Sequence, residues 1–173
     1  AEEFGLVTTH GGRTVSPVIE GDLILVSGIT TGWGNQAKAT HRFLAFDKYT
    51  GQTVWVSSPG GRPFDTTYAP PIAALVNGTL LLIAGGSDGA VHALKPQTGQ
   101  PVWKYEMSKR GINTGAVLKD NWAIVSHSEE NLDSVEMGLL AAIDASVKGP
   151  VGKDQIKWTV KGFQGGYSSP VID

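Results

Sequence analysis

Short apolar runs separated by turn residues recur along the whole chain. In its central part, four of them follow one another at 72–76, 80–85, 90–94 and 102–105. Asn77-Gly78 separates the first two runs, and this dipeptide favours a type I′ hairpin because both of its residues tolerate a positive φ. No segment shows the 3.6-residue apolar period of an amphipathic helix. The pattern therefore predicts an all-β protein made of short antiparallel strands.

The pattern of strands also repeats, at an interval of about 50 residues. Residues 45–55 match residues 93–103, a looser copy runs from 142 to 158, and each copy ends in tryptophan. The four residues 16–19 return unchanged at 169–172. A repeat of this length that holds four strands is typical of a propeller blade. The predicted fold is thus a β-propeller of four-stranded antiparallel blades.

The repeats divide the chain, 1–173, into about three blades and two partial ones. The blades are assigned to residues 16–58, 69–108 and 114–162. Residues 1–15 are expected to be the end of a preceding blade, and residues 168–173 the first strand of a following one. About three blades make only a partial ring, which leaves open edges. We therefore expect either a longer propeller, of which these residues are a part, or association of several copies through the open blade edges.

Composition limits the classes of function. The net charge is −2, from 14 Lys and Arg against 16 Asp and Glu, which argues against binding to nucleic acid. There is no Cys, so a disulfide framework, a thiol nucleophile and a thiolate metal site are excluded. The longest apolar runs are far too short for a transmembrane segment.

The strands alternate in direction, which sorts the loops of the predicted blades onto two faces. Loops between second and third strands lie on one face together with the connections between blades, and we call it the exit-loop face. Its long segments are 30–40, 58–68, 108–113 and 128–137. The turns of the opposite face are short, except for an insertion at 146–155. Long loops on a rigid frame commonly carry binding, so the exit-loop face is the predicted contact surface.

Six residues of this face are the predicted ligand or partner contacts: Arg13, Trp33, Arg62, Arg110, His127 and Glu129. The three arginines recur where each connection approaches the central axis. They could form a cationic ring that binds a carboxylate, or they could pair with backbone carbonyls and nearby acids, which we favour. Trp33 lies in a polar, glycine-flanked loop, where an exposed aromatic side chain favours recognition. Packing of Trp33 within its own loop is an equal alternative.

The segment 127–133 holds His127 together with several oxygen ligands of the kind that calcium prefers. It lacks the alternating Asp residues and the glycine of an EF-hand loop, so no metal site is predicted. His92 is placed on a strand, where it is expected to pack, and His41 is placed in a loop without a visible partner. Motifs for a nucleophile elbow, a P-loop or a zinc helix are absent, so no catalytic residue is assigned.

The run Ala-x-Asp-x-x-Thr-Gly-x-x-x-Trp, complete at 45–55, resembles the repeat of the pyrroloquinoline-quinone (PQQ) type β-propellers. That superfamily includes quinoprotein alcohol dehydrogenases and barrel-assembly lipoproteins of the bacterial outer membrane. The resemblance covers nearly the whole chain, although Lys95 replaces the Asp of the second copy and an insertion at 146–155 replaces the Thr-Gly turn of the third. It implies that the tryptophans dock between blades, and that the protein is periplasmic or otherwise extracytoplasmic.

Two functions agree with this resemblance. The favoured one is a non-enzymatic scaffold without a cofactor, which binds a protein partner or a small ligand through the exit-loop face. The alternative is part of a PQQ- and calcium-dependent alcohol or sugar dehydrogenase, for which Asp65, Glu129 and Asn131 have suitable side chains. The surroundings of these residues do not match the enzymes' motifs, and the adjacent Cys pair of some alcohol-oxidising relatives is absent. A sensor domain attached to another module is a third hypothesis.

Overall fold

The computed structural model describes residues 15–30 and 40–173, which form three antiparallel meanders. Blade one contains β1 (Val18–Glu20), β2 (Leu23–Thr30), β3 (Thr40–Asp47) and β4 (Thr53–Ser57). Blade two contains β5 (Ile72–Val76), β6 (Thr79–Gly85), β7 (Ala90–Leu94) and β8 (Pro101–Glu106). Blade three contains β9 (Val117–Lys119), β10 (Trp122–Glu130), β11 (Met137–Asp144) and, after a two-residue strand β12 (Gly149–Pro150), β13 (Ile156–Lys161). The prediction of an all-β fold with about three propeller blades is confirmed.

Helical structure in the described residues is limited to one 3₁₀ turn at Lys153–Gln155. Within each blade the strands pair in the order in which they occur along the chain, except for β12, which pairs with blade two. The hairpins follow from the turn residues: Asn77 and Gly78 have φ values of 45° and 75°, which a type I′ turn requires. Asp120, with a φ of 55°, takes a left-handed conformation in the corresponding turn of blade three.

The turn between β3 and β4 explains the Asp-x-x-Thr-Gly part of the repeat. The Asp47 carboxylate accepts hydrogen bonds from the backbone N–H groups of Tyr49 and Thr50, at 3.0 and 2.7 Å. Gly51 follows with a φ of 71°. In blade two the same turn keeps its backbone bond, from Gly99 N to Lys95 O at 2.8 Å, without the carboxylate. The side-chain bonds are therefore dispensable for the turn, but the glycine is retained.

The core lies between the blades. One cluster packs Leu25 and Phe43 of blade one against residues of blade two, among them Leu82 and Leu94. A larger cluster joins the other side of blade two to blade three. Blade two is consequently covered on both sides, and β7 is buried at every position. Burial on both faces accounts for the continuous apolar runs in its sequence, which lack a polar alternation.

One tryptophan links blade one to blade two, and another links blade two to blade three. Trp55 Nε1 donates a hydrogen bond to the carbonyl oxygen of Pro96 in the third turn of blade two, at 2.9 Å. Trp103 Nε1 donates to Ala145 O in the third turn of blade three, also at 2.9 Å. The Trp55 ring lies so close to Gly99 that an added Cβ would be 2.5 Å from it. Trp158, at the equivalent position of blade three, remains 38% exposed.

The insertion at 146–155 takes part in the neighbouring blade. Its strand β12 pairs in parallel with β8, Gly149 opposite Trp103 and Pro150 opposite Lys104. Val151 N then donates to Lys104 O at 2.8 Å. A segment of blade three therefore covers part of the outer edge of blade two.

At the other end of blade three, residues 168–173 form no strand in the described structure. Ser169 Oγ accepts a hydrogen bond from Gly115 N at 2.9 Å, which holds this segment beside the start of blade three. Its assignment as the first strand of a following blade stays a prediction, as does the assignment of residues 1–15. Residues 1–14 lie outside the described part of the chain.

The Gly99→Ala variant is expected to destabilise the protein more than Gly51→Ala does. Both glycines have a positive φ, so each alanine costs about 1–2 kcal/mol in backbone strain. Only at Gly99 does the new methyl group also collide with an indole ring, which adds about 1–3 kcal/mol. Urea unfolding of both variants measures the difference in their free energies of unfolding. Equal losses of stability would contradict the conclusion that Gly99 leaves room for the Trp55 ring.

Candidate functional site

The connection between blades one and two is fixed by backbone hydrogen bonds to its neighbours. Phe64 N and Asp65 N both donate to the carbonyl oxygen of Ser87, at 2.8 and 3.3 Å. Ser87 belongs to the glycine-rich hairpin between β6 and β7. The same hairpin receives a bond from the next connection, Ile112 N to Gly86 O at 2.9 Å. Hydrogen bonds therefore join these successive loops of the exit-loop face.

The connection between blades two and three continues this pattern. Lys109 N donates to Glu130 O at 3.0 Å, and Ser108 forms a β-bridge with Asn131. The buried Asn131 amide donates in turn to the carbonyl oxygens of Glu136 and Gly138, at 2.8 and 3.0 Å. The described long loops of this face, at 58–68, 108–113 and 128–137, are thus held in a defined conformation by groups within the fold.

A buried carboxylate lies below these loops. Asp88 Oδ1 accepts a hydrogen bond from His92 Nε2 at 2.9 Å, and Oδ2 accepts one from Gly61 N at 3.0 Å. The backbone of Gly60 passes over the carboxylate so closely that a Cβ would lie 2.6 Å from Oδ2. Lys104 Nζ is 3.6 Å from the same oxygen. The sequence analysis did not select Asp88. The one sequence feature that relates to it is the adjacent glycine pair at 60 and 61, whose backbone lies against the carboxylate.

Burial by itself would raise the pKa of Asp88. The hydrogen bond and charge of His92, the Gly61 N–H and the charge of Lys104 together lower that pKa to well below its usual range. Asp88 is therefore ionised at neutral pH, and His92 Nε2 carries the proton that it donates. The side chains of Asp88 and His92 are almost wholly inaccessible, so this pair acts as a structural link rather than as an acid or base for a bound substrate.

His41 differs from its prediction, because it lies in β3 and is buried. Its Nδ1 accepts a hydrogen bond from Ser87 N at 3.3 Å, which joins blade one to the hairpin of blade two. Desolvation, with a contribution from the nearby His92, lowers the pKa of His41 from 6.5 to about 3. The sequence does not show that β3 begins before His41, at Thr40.

Arg110 lies between two carboxylates on the exit-loop face. Its guanidinium is 3.7 Å from Asp65 of the first connection and 3.4 Å from Glu130 of blade three. These contacts are of the kind expected if the arginines pair with nearby acids, and all three side chains are partly exposed. Such pairs contribute little to stability. Whether Arg110 also contacts a ligand stays a prediction.

Arg62 has a different environment. It is exposed beside a small hollow of about 180 Å³, which Phe64, Asp88, Lys104 and Leu132 also line. Within the described residues, Arg62 has no ion pair. Asp88 is held by His92, and Lys104 lies 2.8 Å from Glu106, so Arg62 is the cation of this hollow that is available to a partner.

His127 and Glu129 lie on β10, which extends through residues that the sequence assigns to a loop. His127 is only 2% exposed, so its side chain is not on the surface as predicted. Burial lowers its pKa, opposed by hydrogen bonds that involve Met107, Asn131 and Glu129. Glu129 is half-buried. Arg13 and Trp33 lie outside the described residues, so the cationic ring and the aromatic loop stay predictions.

Several large apolar side chains are exposed on the exit-loop face, and sequence reasoning did not select them. Phe64 is 57% exposed and Tyr167 is 68% exposed. The others belong to the loop and exit segment of blade three: Leu132, Val135, Met137 and Phe163. Apolar groups on fixed loops are typical of surfaces that contact another molecule.

Two of the residues considered for a calcium-bound quinone already serve contacts within the fold. The Asn131 amide is buried and holds its own loop, while Asp65 pairs with Arg110. Within residues 15–30 and 40–173, no three His, Asp or Glu side chains are grouped so that they could hold a metal ion.

The meanders and the Trp contacts define a segment of a β-propeller, with fixed loops on one face. The sequence family described as outer membrane protein assembly factor BamB, which is built from PQQ-type repeats, matches residues 6–172. The chain belongs to this family. No curated protein sequence matches the chain significantly.

Solved structures show the same fold at low sequence identity. BamB from Moraxella catarrhalis superposes with a TM-score of 0.61 and 18% identity, over 94% of this chain and 44% of that protein. The quinohemoprotein alcohol dehydrogenase of Comamonas testosteroni gives 0.54 and 20%, over 87% and 21%. A europium-containing methanol dehydrogenase gives 0.57 and 15%, over 90% and 26%. The chain thus spans less than half the length of each.

Its described residues contain no helix with the length and apolarity of a transmembrane segment.

Replacement of Asp88 by Asn is expected to lower the free energy of unfolding by about 3–5 kcal/mol, because it leaves a buried donor without its charged acceptor. Asp22→Asn is the matched control. Asp22 forms an exposed ion pair with Lys48 at 2.9 Å, and its loss is expected to cost less than about 1 kcal/mol. Urea unfolding at pH 7 compares the two. A loss at Asp88 as small as that at Asp22 would contradict the structural role.

The protein is expected to lose about 2 kcal/mol of stability between pH 7 and pH 5 through His41. The folded-state pKa of His41 is about 3 and its ordinary value is 6.5, so over this range the unfolded chain binds a proton that the folded chain refuses. Stability therefore falls as the pH falls. His41→Gln keeps an acceptor for Ser87 N without titrating and is expected to flatten the profile. If the stability of His41→Gln fell as steeply between pH 7 and pH 5 as that of the original protein, the pH dependence would come from other groups, such as His127.

Proposed function

We propose that this chain is part of a non-enzymatic, periplasmic propeller that binds a protein partner in outer-membrane protein assembly. The observation that carries the proposal is the exit-loop face, whose described loops are fixed by hydrogen bonds while apolar side chains such as Phe64 and Leu132 remain exposed. A rigid surface loses little conformational entropy on binding. Membership in the BamB family supports both the location and the partner class.

Arg62 gives this surface a specific character. Its guanidinium is free of ion pairs in the described residues, and Arg62 lines the same hollow as the exposed Phe64. Arginine and aromatic side chains are the residues most often responsible for binding energy at protein interfaces. A partner that places a carboxylate against Arg62 and an apolar side chain against Phe64 would match this arrangement.

The alternative function, as part of a PQQ-dependent dehydrogenase, is supported by the shared fold alone. The side chains considered for it serve other contacts, since Asn131 holds its loop and Asp65 pairs with Arg110. We therefore propose that the chain binds no quinone. Adding PQQ and calcium to the full-length protein is expected to give neither quinone absorbance nor dye reduction with simple alcohols. Stoichiometric quinone binding with turnover would overturn the non-enzymatic proposal.

The variants Arg62→Glu and Phe64→Ser are each expected to weaken partner binding about tenfold, because both side chains lie at the proposed interface. The matched controls are Lys95→Glu and Tyr49→Ser, an exposed cation and an exposed aromatic side chain on the opposite face. The measurement is the amount of outer-membrane assembly proteins that co-purify with the full-length protein from its bacterium. Equal losses in the controls, or no loss in the two variants, would contradict the proposed surface.

A further inference from the structure

Asn77 is the one asparagine in the sequence that is followed by glycine. The two residues form the turn between β5 and β6, and both are exposed. Val76 pairs with Thr79 across this turn, and none of the described residues accepts a hydrogen bond from Gly78 N. An added Cβ at Gly78 would lie within 4 Å of nothing in the described residues beyond its chain neighbours. The backbone nitrogen that follows Asn77 is therefore unpaired and open to water.

The side chain of Asn77 is held by a residue of the neighbouring blade. Asn121 Nδ2 donates a hydrogen bond to Asn77 Oδ1 at 2.6 Å, and Asn121 Oδ1 accepts one from Asn77 N at 3.2 Å. One planar amide of blade three thus bridges the side-chain oxygen and the backbone nitrogen of Asn77. An amide carbon is attacked from above its plane, so the Asn77 side chain has to turn its face toward Gly78 N before the two can react. Both hydrogen bonds to Asn121 oppose that rotation.

Asn121 is itself joined to the main contact between these two blades. Its carbonyl oxygen accepts a hydrogen bond from Ala145 N at 2.8 Å. Ala145 O accepts the hydrogen bond from the Trp103 indole at 2.9 Å. Hydrogen bonds therefore lead from the indole of blade two, through two residues of blade three, back to Asn77 of blade two.

We propose that Asn77 is a site of spontaneous deamidation whose rate is controlled by the contact between blades two and three. In this reaction Gly78 N loses its proton and forms a bond to Asn77 Cγ, the bond from Cγ to Nδ2 breaks, and ammonia leaves. Water then opens the resulting succinimide at either carbonyl carbon, which gives aspartate or isoaspartate. While Asn121 keeps its partners the reaction is slow, and local separation of the two blades releases the side chain to react.

The two products affect the turn differently. Asparagine and aspartate both tolerate a positive φ, such as the 45° of Asn77, so the aspartate product keeps the turn and adds one negative charge. Isoaspartate inserts a methylene group into the backbone of a two-residue turn, whose length sets the register of the hairpin. This product therefore loosens the hairpin and its bonds to Asn121. The site lies in a turn of the face opposite the exit-loop face, and it does not depend on the function proposed above.

The test follows deamidation of the full-length protein in mildly alkaline buffer. Mass spectrometry of the peptide that carries Asn77 gives the rate, and protein isoaspartyl methyltransferase counts the isoaspartate formed. Asn121→Ala is expected to react about tenfold faster, because two hydrogen bonds that restrain the side chain are lost. The matched control is Asn113→Ala, which removes the bond from Tyr68 N to Asn113 Oδ1 between two connections of the exit-loop face and should change the rate less than about twofold. An unchanged rate in Asn121→Ala, or equal acceleration in the control, would overturn the proposal.

A synthetic peptide of residues 74–81 supplies the rate of the unrestrained sequence. The folded protein is expected to react at least about tenfold more slowly than this peptide, since the reactive arrangement requires local opening. A folded protein that reacted as fast as the peptide would show that Asn121 protects nothing.

A second pair of variants tests the connection to the indole. Trp103→Phe keeps an aromatic ring but loses the donor to Ala145, and it is expected to accelerate deamidation of Asn77 about fivefold. Trp55→Phe makes the same change at the contact between blades one and two, where the acceptor is Pro96, which has no N–H to continue the connection. Its effect should stay below about twofold. Equal acceleration by both variants would mean that the rate follows overall stability, and control by the contact between blades two and three would then be refuted.

Discussion

A four-stranded meander with two apolar faces is stable in water only when both faces are covered by other sheets. Blade two shows this requirement directly, since its neighbours bury every position of β7 from both sides. The contact between blades is therefore the interaction on which the rest of the structure depends. The described loops of the exit-loop face have fixed positions because the sheets that carry them are packed, and the hydrogen bonds among those loops then join neighbouring blades a second time.

Polar groups at the contacts between blades fix how neighbouring blades are oriented relative to one another. Each of two tryptophans donates to one carbonyl oxygen in the following blade, which sets the distance and rotation between successive sheets. The bond from Gly61 N to Asp88 and the bond from Ser87 N to His41 act at the other end of the same contact. An apolar interface alone would allow sliding, whereas hydrogen bonds in a buried environment specify one arrangement because unpaired groups there are costly.

The parts of the fold that could be predicted from sequence are those encoded locally. The Asn77-Gly78 turn and the recurring Thr-Gly turn have the same conformational requirement wherever they occur, so the order of strands follows from them. Contacts between residues distant in sequence could not be predicted in this way. His41 and Ser87 are far apart along the chain, as are Asp88 and Gly61, and no local pattern connects either pair. His127 was misplaced because β10 continues beyond its apolar part, supported by pairing with β11.

The parallel pairing of β12 with β8 also concerns the assembly of a repetitive sequence. Blades that share their turns and their tryptophans could in principle stack in a wrong order, because the residues at each contact are similar. The insertion occurs in blade three alone among the three blades described, and it pairs with an edge of blade two. It thereby gives these two neighbours a contact that no other pair of described blades can reproduce, so their adjacency is specified by the sequence itself and not only by the general affinity of one sheet for another.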